Sequence, residues 1–302
     1  AQGLPPYSPI NPVAASRSGL GFEPYRSPQP GRWSTALALD YASIIERAHL
    51  PAAGYDLDAE VLRLRFRAAR GLEHWAFVQV DATAGGSYDG FLDGFLDWYH
   101  RLLGITLEER EARPENEFLY RIELPDGEIL RRRKSAFFLG DTRIALGARY
   151  TPFLQTVAAL TLPTSTAPRG YGLGVPAAGV ITTAHVPIAT PLIYEGSLGL
   201  GYTPAHGDLT PYQHTTFVSA SSGARWRFWG RQWLYGNLFY HSPYYHDTKI
   251  PSLDRRELSF DFGWMLRTRS GPEWRIGLTE DLEPGGPGVD LVVRLGVRFG
   301  ER

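Results

Sequence analysis

From Leu258 to Leu266 the large apolar side chains Leu258, Phe260, Phe262, Trp264 and Leu266 fall at every second position, and Ser259, Asp261, Gly263 and Met265 fill the places between. The pattern returns near the C-terminus, where Val289, Leu291, Val293, Leu295, Val297 and Phe299 alternate with Asp290, Val292, Arg294, Gly296 and Arg298. Successive side chains of a strand point to opposite faces. One face of each run is therefore apolar to its end, while the other carries Asp and Arg. A sandwich in water shows the reverse, with apolar residues inside and Thr, Lys or Glu outside. A strand of about ten residues that is apolar on one side, polar on the other and ends in an aromatic is what a transmembrane β-barrel requires.

Composition narrows the class further. The 302-residue chain has no Cys, which leaves no disulfide and no thiolate metal ligand. Its formal net charge of −1 argues against a nucleic-acid partner held by bulk electrostatics. Lys134 and Lys249 are the two lysines, and every other basic residue is Arg or His. No run of 18 apolar residues occurs, so no helical membrane span is expected. No signal peptide is visible, and Ala1-Gln2 reads as the start of a mature chain after signal-peptide removal. The 16 Tyr, 15 Phe and 8 Trp, set beside 33 Gly, suit a barrel with aromatic girdles at the two membrane interfaces.

The fold expected is all-β, a transmembrane antiparallel barrel of about twelve strands. They run near 32–45, 58–69, 73–84, 137–150, 153–162, 177–186, 190–203, 212–221, 225–241, 255–268, 272–282 and 288–300. Tight turns are expected at Gly71-Leu72, Thr151-Pro152, Pro187-Ile188, Ser222-Gly223 and Ser270-Gly271, with longer connections at the opposite ends. Short turns on one side and long loops on the other, with an even strand count, is the arrangement of bacterial outer-membrane barrels. Residues 1–31 are rich in Pro, Gly and Ser and show no period, and so read either as an extended segment packed in the lumen as a plug or as a disordered periplasmic leader. The rest, 32–302, is the barrel, with an insertion over 85–136. Within that insertion Tyr88 to Leu103 places Phe91, Leu92, Phe95, Leu96, Trp98, Tyr99, Leu102 and Leu103 at helical spacing. Pro125-Asp126-Gly127 then marks a hairpin.

The run Gly85-Gly86-Ser87-Tyr88-Asp89-Gly90-Phe91-Leu92-Asp93-Gly94-Phe95, with Trp98-Tyr99-His100 and Gly104-Ile105 after it, resembles a motif of the exported domain-of-unknown-function 3187 family. Ser8-Pro9-Ile10-Asn11-Pro12, Gly140-Asp141-Thr142-Arg143, Leu162-Pro163-Thr164 and Glu280-Asp281-Leu282 follow the same family's order across nearly the whole chain. The sequence departs at Leu162-Pro163-Thr164-Ser165, where the family usually has Lys-Leu-Pro-Thr-Gly. The resemblance implies an outer-membrane barrel and brings no activity with it. A more distant likeness is to channels for hydrophobic compounds, which also begin with an Asn-Pro segment inside the barrel.

With the apolar faces outward, Arg63, Arg65, Arg67, Arg143, Arg149, Arg267, Arg275, Arg294 and Arg298 point inward, together with Asp40, Asp81, Glu195, Asp261, Asp281 and Asp290. Such a set either selects ions in a water-filled pore or closes the lumen as an Arg–carboxylate network. Asp89, Asp93, Asp97 and His100 share one face of the insertion helix. They read as a solvated face or as partners of lumen Arg in preference to a cation site. His241-Ser242 with Asp247 or Asp254 is a poor nucleophile–base arrangement, since both residues would leave one strand together. Trp226, Phe228, Trp229, Trp233, Tyr235, Tyr240, Tyr244 and Tyr245 read as interfacial anchors.

The expected function is a gated or plugged outer-membrane channel for small or hydrophobic solutes. It has no catalytic step and no cofactor. Its partners are membrane lipid, a small solute, and a protein partner or second copy. A closed structural or partner-binding barrel is the alternative, and an outer-membrane lipid hydrolase the third reading.

Overall fold

The computed structural model describes residues 3–26, 29–50, 53–90, 117–269, 271–283 and 286–300. The first strands are β1 (Trp33–Leu50), β2 (Ala53–Glu73) and β3 (Ala76–Tyr88). Three short strands follow, β4 (Leu119–Glu123), β5 (Ile129–Arg131) and β6 (Phe138–Leu139). Next come β7 (Thr142–Thr151), β8 (Leu154–Leu162), β9 (Ala177–Ala189), β10 (Leu192–Tyr202) and β11 (Thr216–Trp229). The series ends with β12 (Gln232–His241), β13 (Glu257–Arg267), β14 (Glu273–Asp281) and β15 (Leu291–Phe299). All pairings between these strands are antiparallel. β1 pairs with β2 from Trp33↔Arg70 to Leu50↔Ala53 and with β15 from Thr35↔Phe299 to Ser43↔Leu291, which closes the sheet. The closed cycle contains twelve strands: β1, β2, β3 and β7 through β15.

The alternation read from the sequence is the wall of this barrel. Leu198 and Leu200 on β10 are 68% and 66% exposed, while Ser197 beside them is buried. A continuous exposed band of Leu, Val and Ile around a closed sheet is a lipid-facing surface. Trp33, Trp75, Tyr150 and Trp229 are exposed at the short-turn rim, and Phe137 and Tyr202 toward the opposite one. The aromatic set of β11, β12 and the loop after them divides. Trp226, Phe228 and Trp229 are exposed, but Tyr235, Tyr244 and Tyr245 are buried, so these last are core residues and not anchors.

Three expected turns lie inside strands. Gly71-Leu72 belongs to β2, Pro187-Ile188 to β9, and Ser222-Gly223 to the middle of β11. The chain reverses later, at His74-Trp75, Thr190-Pro191 and Gly230-Arg231. Two of the misread glycines have one physical cause. A Cβ on Gly223 would lie 2.6 Å from the Gly236 carbonyl of β12 and 2.8 Å from Leu4 Cδ1, and one on Gly71 would run into the backbone of Gln29. Gly71 clears the chain ahead of β1, and Gly223 clears both its partner strand and Leu4; neither makes a turn.

Of the expected long connection 46–57, residues 46–50 and 53–57 are strand. Ile44, Tyr55, Leu57, Ala59 and Val61 pack with Ile10, Val13, Tyr120, Ile122 and Leu130 in a buried apolar cluster, so pairing continues past the barrel rim. β4 adds to the edge of β2 there, from Gly54↔Glu123 to Asp58↔Leu119. The hairpin at Pro125-Asp126-Gly127 joins β4 to β5, with Gly127 at φ +85° where a side chain would be strained. Tyr88 closes β3 and does not open a helix; residues 91–103 of the expected helix, including Asp93, Asp97 and His100, lie outside the described residues.

Candidate functional site in the barrel lumen

Residues 3–26 lie inside the barrel. Pro5, Pro6, Pro9, Pro12 and Pro24 deprive this segment of ladder donors, and so it forms no strand with the wall. It rises to a single turn of helix, α1 (Pro12–Ala15), and descends again, with Tyr7 and Phe22 exchanging backbone hydrogen bonds of 3.2 and 2.8 Å across the two legs. Asn11 caps α1 by accepting from Val13 N at 2.9 Å. Its amide also donates to Glu46 Oε1 at 2.5 Å and to the Gly288 carbonyl at 2.7 Å, which fixes the apex.

The carbonyls of a proline-rich segment need donors, and the wall supplies guanidiniums. Arg63 donates to the Ser8 carbonyl at 2.9 Å and also to that of Pro9. Arg65 reaches Ser8 Oγ at 2.9 Å. In the other direction, Arg17 of the segment donates to the Thr203 and His214 carbonyls at 3.3 and 2.7 Å. Leu4 N donates to Glu195 Oε2 at 2.8 Å, and Glu195 Oε1 lies 2.6 Å from His185 Nδ1.

Two ionic clusters hold the middle of the lumen. In the first, the fully buried Asp40 of β1 is shared by Arg63 at 3.1 Å, Arg65 at 3.0 Å and Arg294 at 3.5 Å. Arg294 also meets Asp261 at 3.4 Å and donates from Nε to Thr279 Oγ1 at 2.6 Å, with its guanidinium 4.6 Å over the Tyr7 ring. In the second, Glu23 of the inner segment lies 3.1 Å from Arg67 and 2.8 Å from Arg143. Asp81 bridges the same two guanidiniums, at 2.9 Å from Arg143. The register places these partners opposite each other across strands: Asp40↔Arg63, Arg67↔Asp81, Asp81↔Arg143 and Asp40↔Arg294.

The remaining charges named from sequence sit nearer the rims. Arg149 donates to the His74 carbonyl at 2.5 Å beside the short turns, and Arg267 is exposed at the end of β13. Arg298 is 3.9 Å from Glu273, and Arg275 reaches the Pro6 carbonyl at 3.4 Å. Asp281 Oδ1 accepts from Glu283 N at 3.0 Å, and Asp290 precedes β15 at the long-loop end. Asp89 pairs with Lys134 at 2.5 Å at the outer end of β3. Among the described residues no three metal-ligating side chains converge. His241 Nε2 faces Ser18 Oγ at 2.7 Å, while Ser242 Oγ accepts from Val218 N at 3.0 Å, so the two do not form a nucleophile–base pair.

Beside these charges runs free space. A cavity of about 210 Å³ lies between the inner segment and the wall of β1, β2, β3, β7 and β8. Arg63, Arg65, Arg67 and Arg143 line it together with Glu23, Asp81 and Asp141, and Ile10, Leu20, Val61, Phe138, Tyr171 and Leu173 add apolar surface. A second cavity of about 60 Å³ continues toward the short-turn rim, bounded by Leu4, Pro24, Arg26, Met265, Glu273 and Arg275. Pro6, Ala36, Ala38 and Arg67 border both cavities, a shared border termed the neck. Ala36 and Ala38, on the inward face of β1, are its small residues. At the outer mouth burial pushes the Asp141 carboxyl up, though it accepts from Ser165 N at 3.1 Å and Leu173 N at 2.8 Å.

Sequence reasoning placed the wall Arg and Asp residues but not their inner partners. Glu23, Arg17 and Arg26 lie in a segment without periodicity. Ala36 and Ala38 carry no chemical signal, and only their parity with Asp40 on β1 could have marked them as lumen-facing.

No protein-family model matches the chain, and no curated protein matches it either. Solved structures do. The chain is similar to the COG4313 outer membrane channel from Pseudomonas putida F1, with a TM-score of 0.57 and 12% identity over 91% of this chain and 97% of that one. It is also similar to the NanC porin, with a TM-score of 0.50 and 6% identity over 88% of this chain and 99% of that one. At such identities the likeness carries the fold alone: this chain shares their closed antiparallel barrel, here of twelve strands.

Proposed function

We propose that the protein is a plugged channel of the bacterial outer membrane. Small or hydrophobic solutes cross it passively along the inner face of β1, and residues 1–31 are the plug. The observation that carries this reading is the pair of cavities that meet at Pro6, Ala36, Ala38 and Arg67. A barrel serving only as a scaffold has no need of space beside a filled lumen. The segment ordering is part of the same proposal, as is kinship with the domain-of-unknown-function 3187 family. Membrane lipid is the surrounding partner.

A closed structural barrel is the competing reading, and the two ionic clusters around Asp40 and Asp81 favour it, since they tie the inner segment to the wall. Planar-bilayer recording separates the two. The channel reading predicts small discrete conductance steps for the full chain. Silence from both the full chain and a form lacking the inner segment contradicts it.

A further inference from the structure

The loop between β8 and β9 packs onto the long-loop end of the lumen. It contributes Tyr171 and Leu173 to the wall of the larger cavity, and both side chains are buried. Tyr171 packs against Phe138 and Tyr120, with ring centroids 5.6 and 6.0 Å apart. Gly170 and Gly174, at φ +92° and +67°, turn the chain in and out again on either side of these two residues. A Cβ on Gly172 would lie 2.7 Å from Ser165 Cβ, so the two limbs of the loop touch. Compact loops whose limbs pack on each other are a kind of segment that often carries function.

One side chain ahead of β7 ties both limbs. Asp141 Oδ1 accepts from Ser165 N at 3.1 Å, and Oδ2 from Leu173 N at 2.8 Å. The next residue continues the seam: Thr142 N donates to Thr164 Oγ1 at 2.9 Å, and the two hydroxyls lie 3.0 Å apart. The runs Gly140-Asp141-Thr142-Arg143 and Leu162-Pro163-Thr164, singled out in the sequence, are thus two halves of one junction. Arg143 in the same run lies 2.8 Å from Glu23, so these few residues meet both the loop and the inner segment. At the tip of the loop Arg169 meets Asp208 at 3.4 Å, but that guanidinium is 81% exposed and such pairs contribute little. The carboxylate is different in kind. It serves two backbone donors at once, whereas an amide in its place serves one and sets its own N–H against the other.

We propose that the loop 163–176 is the outer door of the larger cavity and that Asp141 is the positioning residue that keeps it shut. Tyr171 and Leu173 are the inner face of the door, and the bonds from Ser165 N and Leu173 N are its clasp. Because one group holds both limbs, the loop leaves the wall as a unit when the carboxylate lets go. The proposal rests on the channel reading for its purpose, but the door is tested by a readout that needs no transport.

The chain has no Cys, so a single introduced thiol reports on one place. Leu173→Cys reports on the door, and Val157→Cys, buried with Phe77 behind β8, reports on the barrel. Each is reacted with a hydrophilic maleimide on the full chain in lipid nanodiscs, with Asp141 intact, with Asp141→Asn and with Asp141→Ala. The rate follows the population of the opened form. Leu173→Cys is expected to react slowly beside the native Asp141 and about tenfold faster beside Asp141→Asn, which frees one limb. Asp141→Ala frees both limbs and is expected to speed it further. Val157→Cys is expected to stay slow throughout, and Asp126→Asn, at an exposed hairpin tip, to change neither reporter. An unchanged Leu173→Cys rate in the Asp141 variants overturns the clasp. Equal acceleration of both reporters also overturns it, since Asp141 would then support the whole barrel. Should Asp141→Ala not fold, Asp141→Asn alone decides. Conductance in planar bilayers reports on the channel reading alone. A silent protein with a responsive Leu173→Cys keeps the door and removes the channel; conductance with an indifferent Leu173→Cys does the reverse.

Discussion

Truncation of the chain ahead of Tyr25 is expected to raise single-channel conductance several-fold. The segment removed carries Leu4, Tyr7, Ile10, Val13, Ala14, Leu20 and Phe22, all buried in the barrel. Eight strands enclose an interior that side chains fill, and sixteen to eighteen leave a water channel. Twelve strands fall between, so what occupies the lumen decides whether it conducts. Here the occupant is held by backbone contacts from Arg17 and by the 2.8 Å bond from Leu4 N to Glu195, not by strand pairing. Its loss leaves the hydrogen-bonded wall unbroken, since β1 pairs directly with β2 and β15. The same truncation removes Glu23 from Arg67 and Arg143 and exposes the apolar cluster at the outer end. The melting temperature should therefore fall while conductance rises. Planar-bilayer steps of unchanged size would show that the barrier lies elsewhere.

Asp40→Ala is expected to destabilise the barrel by about 3–5 kcal/mol, the cost of leaving a buried charge group unpaired. Three guanidiniums converge on this fully buried carboxylate, and Arg294 is itself fully buried. Removing the carboxylate leaves those cations facing one another. A second substitution, Arg65→Met, relieves one of them and should recover part of the loss. Urea unfolding of the reconstituted protein, followed by Trp fluorescence, measures both variants. A double variant no more stable than Asp40→Ala alone would deny that the three arginines share one counter-charge.

Much of the wall was legible in the sequence because lipid allows no exceptions. A face turned to hydrocarbon must be apolar at every second position, so Leu258–Leu266 and Val289–Phe299 announce both strand and surroundings. The inward parity of Arg63, Arg65, Arg67 and Arg294 followed from the same rule. Reading failed where a second layer inside the barrel changed what a residue type means. Gly71 and Gly223 are ordinarily turn signals, but here Gly71 makes room for Gln29 and Gly223 for its partner strand and Leu4. Tyr55 and Leu57 lie beyond the expected membrane strands, yet they continue as strand because Ile10 and Val13 pack with them from within. Arg225 was taken for the start of a strand after a turn; it lies within β11, buried, with its guanidinium 5.7 Å over Trp233.

The path itself was not legible. Ala36 and Ala38 are the small residues of the neck, and smallness on a lumen face becomes informative only once the opposite surface is known. Glu23 was equally silent, because nothing in an aperiodic proline-rich segment says which wall cation it will meet. Asp89, read as part of a helical acidic face, is instead paired with Lys134 next to the end of β3.

The central claim is that solutes pass between the inner segment and β1. The most direct measurement is the single-channel conductance of Ala38→Trp, which fills the neck with an indole while leaving both ionic clusters in place. Ala158→Trp, on the lipid-facing side of β8, is the matched control. Conductance lost in Ala38→Trp and retained in Ala158→Trp is the predicted result. Conductance equal in the two variants would contradict this route.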